Sequence, residues 1–223
     1  MTRPLANFSM PPCPAPDASW LYLIRHGATA NNRARPPRLQ GRRTDPGLSP
    51  EGLEQAHASA EFFQSVRLDA VYSSPLARAL ETAQAIAQPH GLTVEIVDEL
   101  VEVDVGLWEG LTWPEIEAKN PDAYQAFMSD GSVNPYLGGE TITAVLERSA
   151  PALERLMAAN PGKTIAAVAH NMVNRAWLTK LLGVHLAAYR AIPQDNCGIN
   201  LLRCKKGQIK AVTVNSIFHL WRS

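Results

Sequence analysis

The chain has 223 residues, of which 46% are hydrophobic, and is therefore long enough for one large α/β domain with a packed core. Its 21 basic and 21 acidic residues cancel, so no general charge favours nucleic acid or an anionic membrane as a partner. No apolar stretch approaches the roughly 18 residues of a transmembrane helix, and the N-terminus lacks a signal-peptide pattern. We therefore expect a cytoplasmic protein. Three cysteines, Cys13, Cys197 and Cys204, have neither the even number of a disulfide framework nor the spacing of a zinc site.

The first 19 residues contain five prolines and only two charges, which predicts a disordered N-terminal tail before a single domain over 20–223. The domain begins with the apolar run Trp20 to Ile24, which breaks abruptly into Arg25 and His26. This pattern is typical of a buried strand that delivers polar side chains to a site at its carboxyl end. The following segment carries five arginines within 33–43, together with three nearby prolines, and predicts a surface loop.

Helices and strands alternate after this loop, as in doubly wound α/β folds. They are predicted over residues 50–65 (helix), 68–73 (strand), 75–90 (helix) and 92–97 (strand). Ser49 with Pro50, and Ser74 with Pro75, mark the two helix starts, because serine caps a helix and proline fits its first turn. The second helix then places Arg78 one turn from its start, where its guanidinium would hang over the helix mouth.

The second half of the chain predicts a lid, a long helix, and a second strand and helix. The segment of about 111–141 is aromatic, rich in proline and glycine and only briefly helical, which is typical of a lid beside a site. A long helix is predicted over 141–160. The apolar strand 164–169 ends in a histidine and leads into a helical pattern over 171–182. An antiparallel hairpin over 198–214 completes one edge of the sheet.

Polar side chains at these strand and helix ends suit a phosphate site. His26 is the group suited to nucleophilic attack at neutral pH, because neutral imidazole keeps a lone pair while arginine stays protonated. The charges of Arg25 and Arg78 disfavour the imidazolium form of His26. A phosphate monoester is mostly dianionic, and two guanidinium forks with His170 as a cation match its charge and oxygens. This set predicts phosphoryl transfer to His26, with Asn32 as a neutral donor.

The leaving alcohol also needs a proton donor. Glu102, Asp104 and Glu109 are the candidates, since a carboxylic acid beside a bound phosphate can hold its proton near neutrality. Their spacing alone does not choose among them.

The order of several motifs resembles that of the histidine phosphatase superfamily. The signature is LIRHGATANN, and the later blocks are LQGRRTDPGLSPEGLEQA, SSPLARALETA, LVEVDVGLWEGLT, GGET and VAHNMVNRAWL. Together they cover nearly everything after Trp20. The resemblance implies a phosphoglycerate mutase-like α/β fold, a three-layer α/β/α sandwich whose mostly parallel mixed sheet has an antiparallel edge strand. It also implies that no metal or cofactor is required.

The resemblance further implies roles for individual residues. His26 becomes the phosphorylated nucleophile, while Arg25, Arg78 and His170 bind the transferring phosphoryl group. It selects Glu102 as the acid that protonates the leaving group and later activates water.

Five further positions are predicted to bind the substrate or its phosphate. Thr29 and Asn32 belong to the signature, and Gln40 and Gly41 lie on the loop over the pocket. Asn171 stands where a small residue usually follows the second histidine of the family. It either donates a hydrogen bond to the substrate or caps the following helix.

The lid favours hydrolysis over phosphoryl exchange, since between 111 and 141 it carries five acidic residues and only Lys119 as a base. The five arginines of 33–43 either bind a second anionic group or are solvated. We predict a phosphomonoesterase of the histidine acid phosphatase type that acts on a small phosphorylated metabolite. The alternatives are a cofactor-dependent phosphoglycerate mutase, and a phosphoprotein phosphatase or phospho-ligand binding module. The sequence leaves the substrate and the oligomeric state open, a homodimer being one candidate.

Overall fold

The computed structural model describes residues 14–221, whose strands form a six-stranded mixed sheet. The strands are β1 (Ala18–Arg25), β2 (Ala70–Ser73), β3 (Val94–Ile96), β4 (Thr164–Ala169), β5 (Ile199–Lys205) and β6 (Gln208–Ser216). Their spatial order is β3-β2-β4-β1-β5-β6. The first four strands in this order pair in parallel, whereas β5 pairs antiparallel with both β1 and β6. The predicted mostly parallel sheet and its antiparallel hairpin edge are confirmed, with β6 as the outermost strand.

Helices cover both faces of this sheet and confirm the predicted three layers. They are α1 (Ala30–Arg33), α2 (Pro50–Phe63), α3 (Ala77–Ala87), α4 (Trp113–Lys119), α5 (Pro121–Ser129), α6 (Ile142–Ala159) and α7 (Asn171–Leu181). Strand β1 shows why the layers form, because successive side chains of a strand point to opposite faces. Leu21 and Leu23 pack with residues of α6 and α7, whereas Tyr22 and Ile24 pack with residues of α2 and α3. Both faces of β1 are covered, which explains its uninterrupted apolar run.

Strand β1 begins two residues earlier than its apolar run suggested. Ala18 and Ser19 are buried in the sheet, and the Ser19 hydroxyl donates to the Met157 carbonyl at 2.9 Å. The prediction of a disordered tail is therefore wrong for these two residues, because pairing with β5 orders them despite weak strand propensity. The part of the predicted tail over 1–13, including Cys13, lies outside the described residues.

The two predicted serine caps have different outcomes. Ser49 does cap α2, since its hydroxyl accepts from the Gly52 amide at 3.1 Å. Helix α3, however, begins at Ala77 and has no side-chain cap from its own N-cap residue. The carboxylate of Asp45 takes that place from another part of the chain and accepts from the Ala77 amide at 2.9 and 3.0 Å. The prediction that Ser74 and Pro75 open the helix is wrong by two residues.

The segment 111–141 is more helical than its composition indicated. It contains α4 and α5, and α4 begins with a capping box in which Thr112 and Glu115 bond to each other's backbone. Aromatic rings of the segment pack on Trp108, whose ring centroid lies 5.5 Å from that of Phe127. Phe127 is fully buried, so this segment is part of the core beside the site rather than a loose insertion. Helix α6 follows as predicted and contains Pro151. No helix within 14–221 has both the length and the apolarity needed to cross a bilayer.

Candidate active site

The topology brings the two histidines of the sequence motifs together. Strands β1 and β4 are parallel neighbours in which Arg25 pairs with Ala169, so the next residues, His26 and His170, leave the sheet at the same edge. The centroids of their imidazole rings are 5.1 Å apart. Two short apolar strands therefore deliver two imidazoles to one place.

His26 is buried and neutral. Burial lowers the pKa of His26 well below its usual value, and the charges of Arg78 and Arg25 lower it further. The Nδ1 atom lies 2.7 Å from the carbonyl oxygen of Gly27, which is an acceptor only, so Nδ1 carries the proton and donates. Nε2 consequently keeps its lone pair, which makes it the nucleophilic atom of this ring.

His170 is neutral as well, so the prediction of a cationic His170 is wrong. Burial lowers its pKa well below the usual value, with Arg78 as the next largest influence. Its Nε2 lies 2.7 Å from the hydroxyl of Ser74. Nδ1 is buried without a hydrogen-bond partner among the described residues. A neutral His170 that accepts from Ser74 at Nε2 presents an N–H at Nδ1, which can donate to a phosphate oxygen.

Arg78 is fully buried and holds the loop beside the site. Its guanidinium donates to the Gly41 carbonyl at 2.9 Å and the Thr44 carbonyl at 3.4 Å, and it lies 3.6 Å from Asp45. The Gln40 carboxamide satisfies both of its neighbours when its oxygen accepts from Arg78 Nε at 3.0 Å. Burial lowers the pKa of Arg78, but an arginine remains a cation. Arg78 thus donates to the loop's carbonyls, and its contact with Asp45, which accepts from the first amide of α3, places the guanidinium beside the mouth of its helix as predicted.

Arg25 lines the cavity next to His26. One terminal nitrogen donates to the Gln194 carbonyl at 2.6 Å, while Nε is buried without a partner among the described residues. Burial lowers the pKa of Arg25 to about 10, so it stays positively charged at neutral pH. Its free donor is available to an anion in the cavity.

Glu102 is separated from the other two acidic candidates by its surroundings. Its carboxyl group is buried and accepts from the Val103 amide at 2.9 Å and from the Met172 amide, in the first turn of α7, at 3.3 Å. Burial raises the pKa of Glu102, and the hydrogen bond from Val103 opposes this only in part. Glu102 also lines the cavity with His26, so it can donate a proton there.

The carboxylates of Asp104 and Glu109 instead bind residues of the arginine-containing loop. The carboxylate of Asp104 binds Arg43 at 2.8 Å and Arg42 at 3.1 Å; although burial opposes this effect, the hydrogen bonds lower the pKa of Asp104. Glu109 accepts from the Gly41 amide at 2.8 Å and from the Thr44 hydroxyl at 2.6 Å. These surroundings favour Glu102 over Asp104 and Glu109 as the proton donor.

The other arginines of 33–43 are also largely occupied. Arg33 lies 2.7 Å from Glu51, and Arg38 lies 3.6 Å from Glu115. Apart from Arg35, for which no ion pair is found among the described residues, the arginines of this loop contact carboxylates of the protein. The side chains of these four paired arginines are 40–49% exposed, so they are solvated, as one of the two alternatives predicted, and they are paired with carboxylates as well.

The remaining predicted residues of the signature and loop organise the cavity entrance. Thr29 and Asn32 form a capping box at α1, and the Asn32 oxygen also accepts from Asn196 at 3.3 Å. Because that oxygen is occupied, the amide group of Asn32 is the part that can donate into the cavity it lines. Gly41 has a steric role, since a Cβ atom there would lie 2.5 Å from the Val103 carbonyl oxygen. Gln40 lines the cavity, whereas Thr29 supports it from behind.

The cavity itself has a volume of about 390 Å³ and extends well beyond His26. Its lining also includes residues that the sequence did not single out: Val105, Trp113, Phe127, Met128, Tyr136, Arg175, Tyr189 and Arg190. The sequence feature that could have indicated Arg175 was helical spacing, because Arg175 lies four residues after Asn171 and therefore shares its helix face. Asn171 is the first residue of α7, whose N-cap is His170, so the capping alternative for Asn171 is wrong. Within 14–221, no group of histidine, cysteine and acidic residues forms a metal-ligand set.

A neutral imidazole with a free lone pair, cationic arginines and a carboxyl group of raised pKa converge at the carboxyl edge of the sheet. Such a set defines a phosphoryl-transfer site on an α/β sandwich. Comparison with known sequences gives the family. The chain belongs to the histidine phosphatase superfamily (branch 1), whose family model matches residues 21–217.

Several relatives carry the names of phosphatases. Phosphoserine phosphatase 1 of Hydrogenobacter thermophilus is 30% identical over 200 residues, which cover 90% of this chain and 93% of that protein. A glucosyl-3-phosphoglycerate phosphatase of Mycolicibacterium vanbaalenii is 36% identical over 171 residues, 74% of each chain. The crystal structure of the Entamoeba histolytica phosphoserine phosphatase with 3-phosphoglyceric acid has a TM-score of 0.81 and 32% identity, covering 91% of this chain and 100% of that one. The chain is therefore a phosphatase of this superfamily.

Proposed function

We propose that the protein is a phosphoric monoester hydrolase of the histidine acid phosphatase type, which cleaves a small phosphorylated metabolite through a phosphohistidine on His26. The observation that carries this proposal is the state of the His26 ring. Its Nδ1 proton is held by the Gly27 carbonyl, and its Nε2 lone pair is free in a cavity that also contains Glu102. The relatives named for phosphoserine and glucosyl-3-phosphoglycerate support a small metabolite as the substrate.

The reaction proceeds in two steps with the groups present. In the first step His26 Nε2 attacks phosphorus, the bond to the leaving oxygen breaks, and Glu102 gives its proton to that oxygen. Arg25 and the Nδ1–H of His170 neutralise charge on the transferring group. In the second step Glu102 takes a proton from water, the hydroxide attacks phosphorus, and the N–P bond breaks. Phosphate leaves, and His26 and Glu102 return to their starting states.

Arg78 lies beside this group and contributes in a different way. Its donors bind the carbonyls of Gly41 and Thr44 and the Gln40 carboxamide, so they position the loop while the charge of Arg78 acts on the site. The second N–H of Nη2 has no partner among the described residues and is the donor that a bound phosphate would take.

Water is favoured over a second phosphorylated molecule as the acceptor. A mutase would hold a bisphosphate, whose charge requires several free cations. The loop arginines Arg38, Arg42 and Arg43 contact Glu115 and Asp104 instead. Incubation with 3-phosphoglycerate and 2,3-bisphosphoglycerate should release inorganic phosphate. Interconversion of phosphoglycerates would instead establish a mutase, and neither reaction with any ester tested would indicate a binding module.

The covalent route is tested by the variant His26→Ala. Turnover should be abolished, and wild-type protein quenched during turnover of a phosphate-labelled ester should keep its label in alkali and lose it in acid, as a phosphoramidate does. His57→Ala is the matched control, because His57 is an exposed histidine of α2 that pairs with Glu61 at 3.3 Å. Full activity of the His26 variant, or an alkali-labile label, would contradict the proposal. The cytoplasmic location and the homodimer expected from the sequence stay predictions.

A further inference from the structure

Two polar atoms of the cavity lining are not used by the reaction on His26. Nε of Arg175 and Oδ1 of Asn171 are buried and have no hydrogen-bond partner among residues 14–221. The two residues are four positions apart on α7, so their side chains lie on the same face of the helix. Both side chains line the cavity.

The charge of Arg175 is not neutralised by the described part of the chain. Its side chain makes no ion pair there, and burial lowers its pKa while Tyr189 and Tyr136 lie close enough to influence it. The carboxyl group near Arg175 is that of Glu102, and its raised pKa keeps it protonated, and therefore uncharged, over part of the pH range. A partly buried cation without a counter-ion is costly, and an anion in the cavity would offset that cost.

Arg190 lines the same part of the cavity but differs from Arg175. Its guanidinium donates to the Phe127 carbonyl at 3.3 Å and lies 4.9 Å from the centroid of the Phe127 ring. It also lies 4.8 Å from the centroid of the Tyr189 ring. Arg190 is thus engaged by the aromatic wall, whereas Arg175 is available to a ligand.

We propose that Arg175 and Asn171 form a second subsite, in which Arg175 binds a carboxylate carried by the leaving group of the substrate. The proposal rests on the function proposed for His26. The phosphoryl group lies at His26 and the leaving oxygen at Glu102, whose carboxyl group is bonded to the amide of Met172 on the first turn of α7. Arg175 lies one turn further along that helix, so a short leaving group reaches from Glu102 to Arg175.

The two side chains also define the chemistry of the leaving group. A guanidinium fork binds a carboxylate with two parallel hydrogen bonds. The Asn171 carboxamide, whose oxygen has no partner among the described residues, can turn that oxygen to accept from a hydroxyl or ammonium donor that the leaving group carries close to the carboxylate. A second phosphate group would carry about twice the negative charge of a carboxylate, and one guanidinium does not balance that charge. The substrate class is therefore the phosphate ester of a small hydroxylated carboxylic acid or amino acid.

Three alkyl phosphates of similar size separate these contacts. Propyl phosphate has neither group, the phosphate ester of 3-hydroxypropionate has the carboxylate, and phosphoserine has the carboxylate and an ammonium donor. In Arg175→Met, the ratio of kcat/KM for the hydroxypropionate ester to that for propyl phosphate should fall about 10- to 150-fold. This range corresponds to the loss of one hydrogen bond to a charged group. Arg175→Lys should restore part of that ratio. Asn171→Leu should lower the ratio of phosphoserine to the hydroxypropionate ester.

Lys180→Met is the matched control, since Lys180 is an exposed base of the same helix that binds Glu154 at 3.0 Å, and its ratios should match wild type. An unchanged ratio in Arg175→Met would overturn the subsite. Failure of the proposed function is distinguishable, because wild-type protein would then release phosphate from none of the three esters. In that case calorimetric titration with phosphoserine tests the subsite alone: binding weakened by Arg175→Met supports it, and equal binding by both proteins overturns it.

Discussion

Replacement of Glu102 by glutamine tests the assignment of the proton donor. The carboxyl group is buried, so the variant keeps its shape but loses the proton that the leaving oxygen needs. General acid catalysis contributes about 10² to 10⁴ in rate, which corresponds to about 2.7 to 5.5 kcal/mol of transition-state stabilisation. We expect a loss of this size in kcat/KM for propyl phosphate. For p-nitrophenyl phosphate, whose leaving group departs as a stable anion, the loss should be much smaller.

The pH dependence gives a second measurement on the same variant. Because burial raises the pKa of Glu102, the wild-type enzyme retains its acid form above the usual carboxyl range. Its kcat/KM for propyl phosphate should fall as the pH rises through that raised pKa. This decline should be absent in Glu102→Gln once the ionisation of propyl phosphate itself is subtracted, and a decline that persisted beyond it would show that another group is the acid.

The structure also indicates how much stability Glu102→Gln should lose and which variant is its matched control. The glutamine amide would face one of the two backbone N–H groups, from Val103 or Met172, that now donate to the carboxyl group. An unsatisfied buried donor costs about 1 to 3 kcal/mol, which urea unfolding would detect. Glu109→Gln is the control, because Glu109 binds the loop and should affect both esters equally. Equal losses on both esters in Glu102→Gln would refute the assignment.

Two further outcomes follow from contacts at the site. Asp45→Ala removes the carboxylate that caps α3 and should lower the free energy of unfolding by about 0.5 to 2 kcal/mol in urea. Ser74→Ala should change activity through His170 and leave that helix cap in place, whereas an Asp45→Ala variant as stable as the wild type would contradict the assignment of the cap to Asp45. Burial lowers the native pKa of His26 and His170, so below pH about 6.5 the unfolded chain binds protons that the native state does not. The free energy of unfolding should therefore fall as the pH drops from 6.5 towards the lowered pKa values. Urea titrations of wild type and His170→Asn would check this, since the variant should lose stability less steeply.

Sequence reasoning reached the nucleophile and the acid by different routes. His26 and His170 follow short apolar runs, and such runs end at the same edge of a parallel sheet, so their proximity was predictable from local pattern. Glu102 was selected over Asp104 by resemblance to a family. The physical reason to prefer Glu102 is visible in the fold, where Asp104 is bound by arginines and Glu102 is buried beside an amide of α7.

The sequence by itself determined most of the elements, their order and the strand ends that carry the reactive side chains, because these depend on hydrophobic periodicity and on caps close in the chain. Only the tertiary structure decided which donor meets which acceptor over long separations. Asp45 rather than Ser74 caps α3, the loop arginines contact carboxylates, and Arg175 is left facing the cavity. Such outcomes depend on burial and on three-dimensional distance, since a buried polar group takes whichever partner the fold brings within reach.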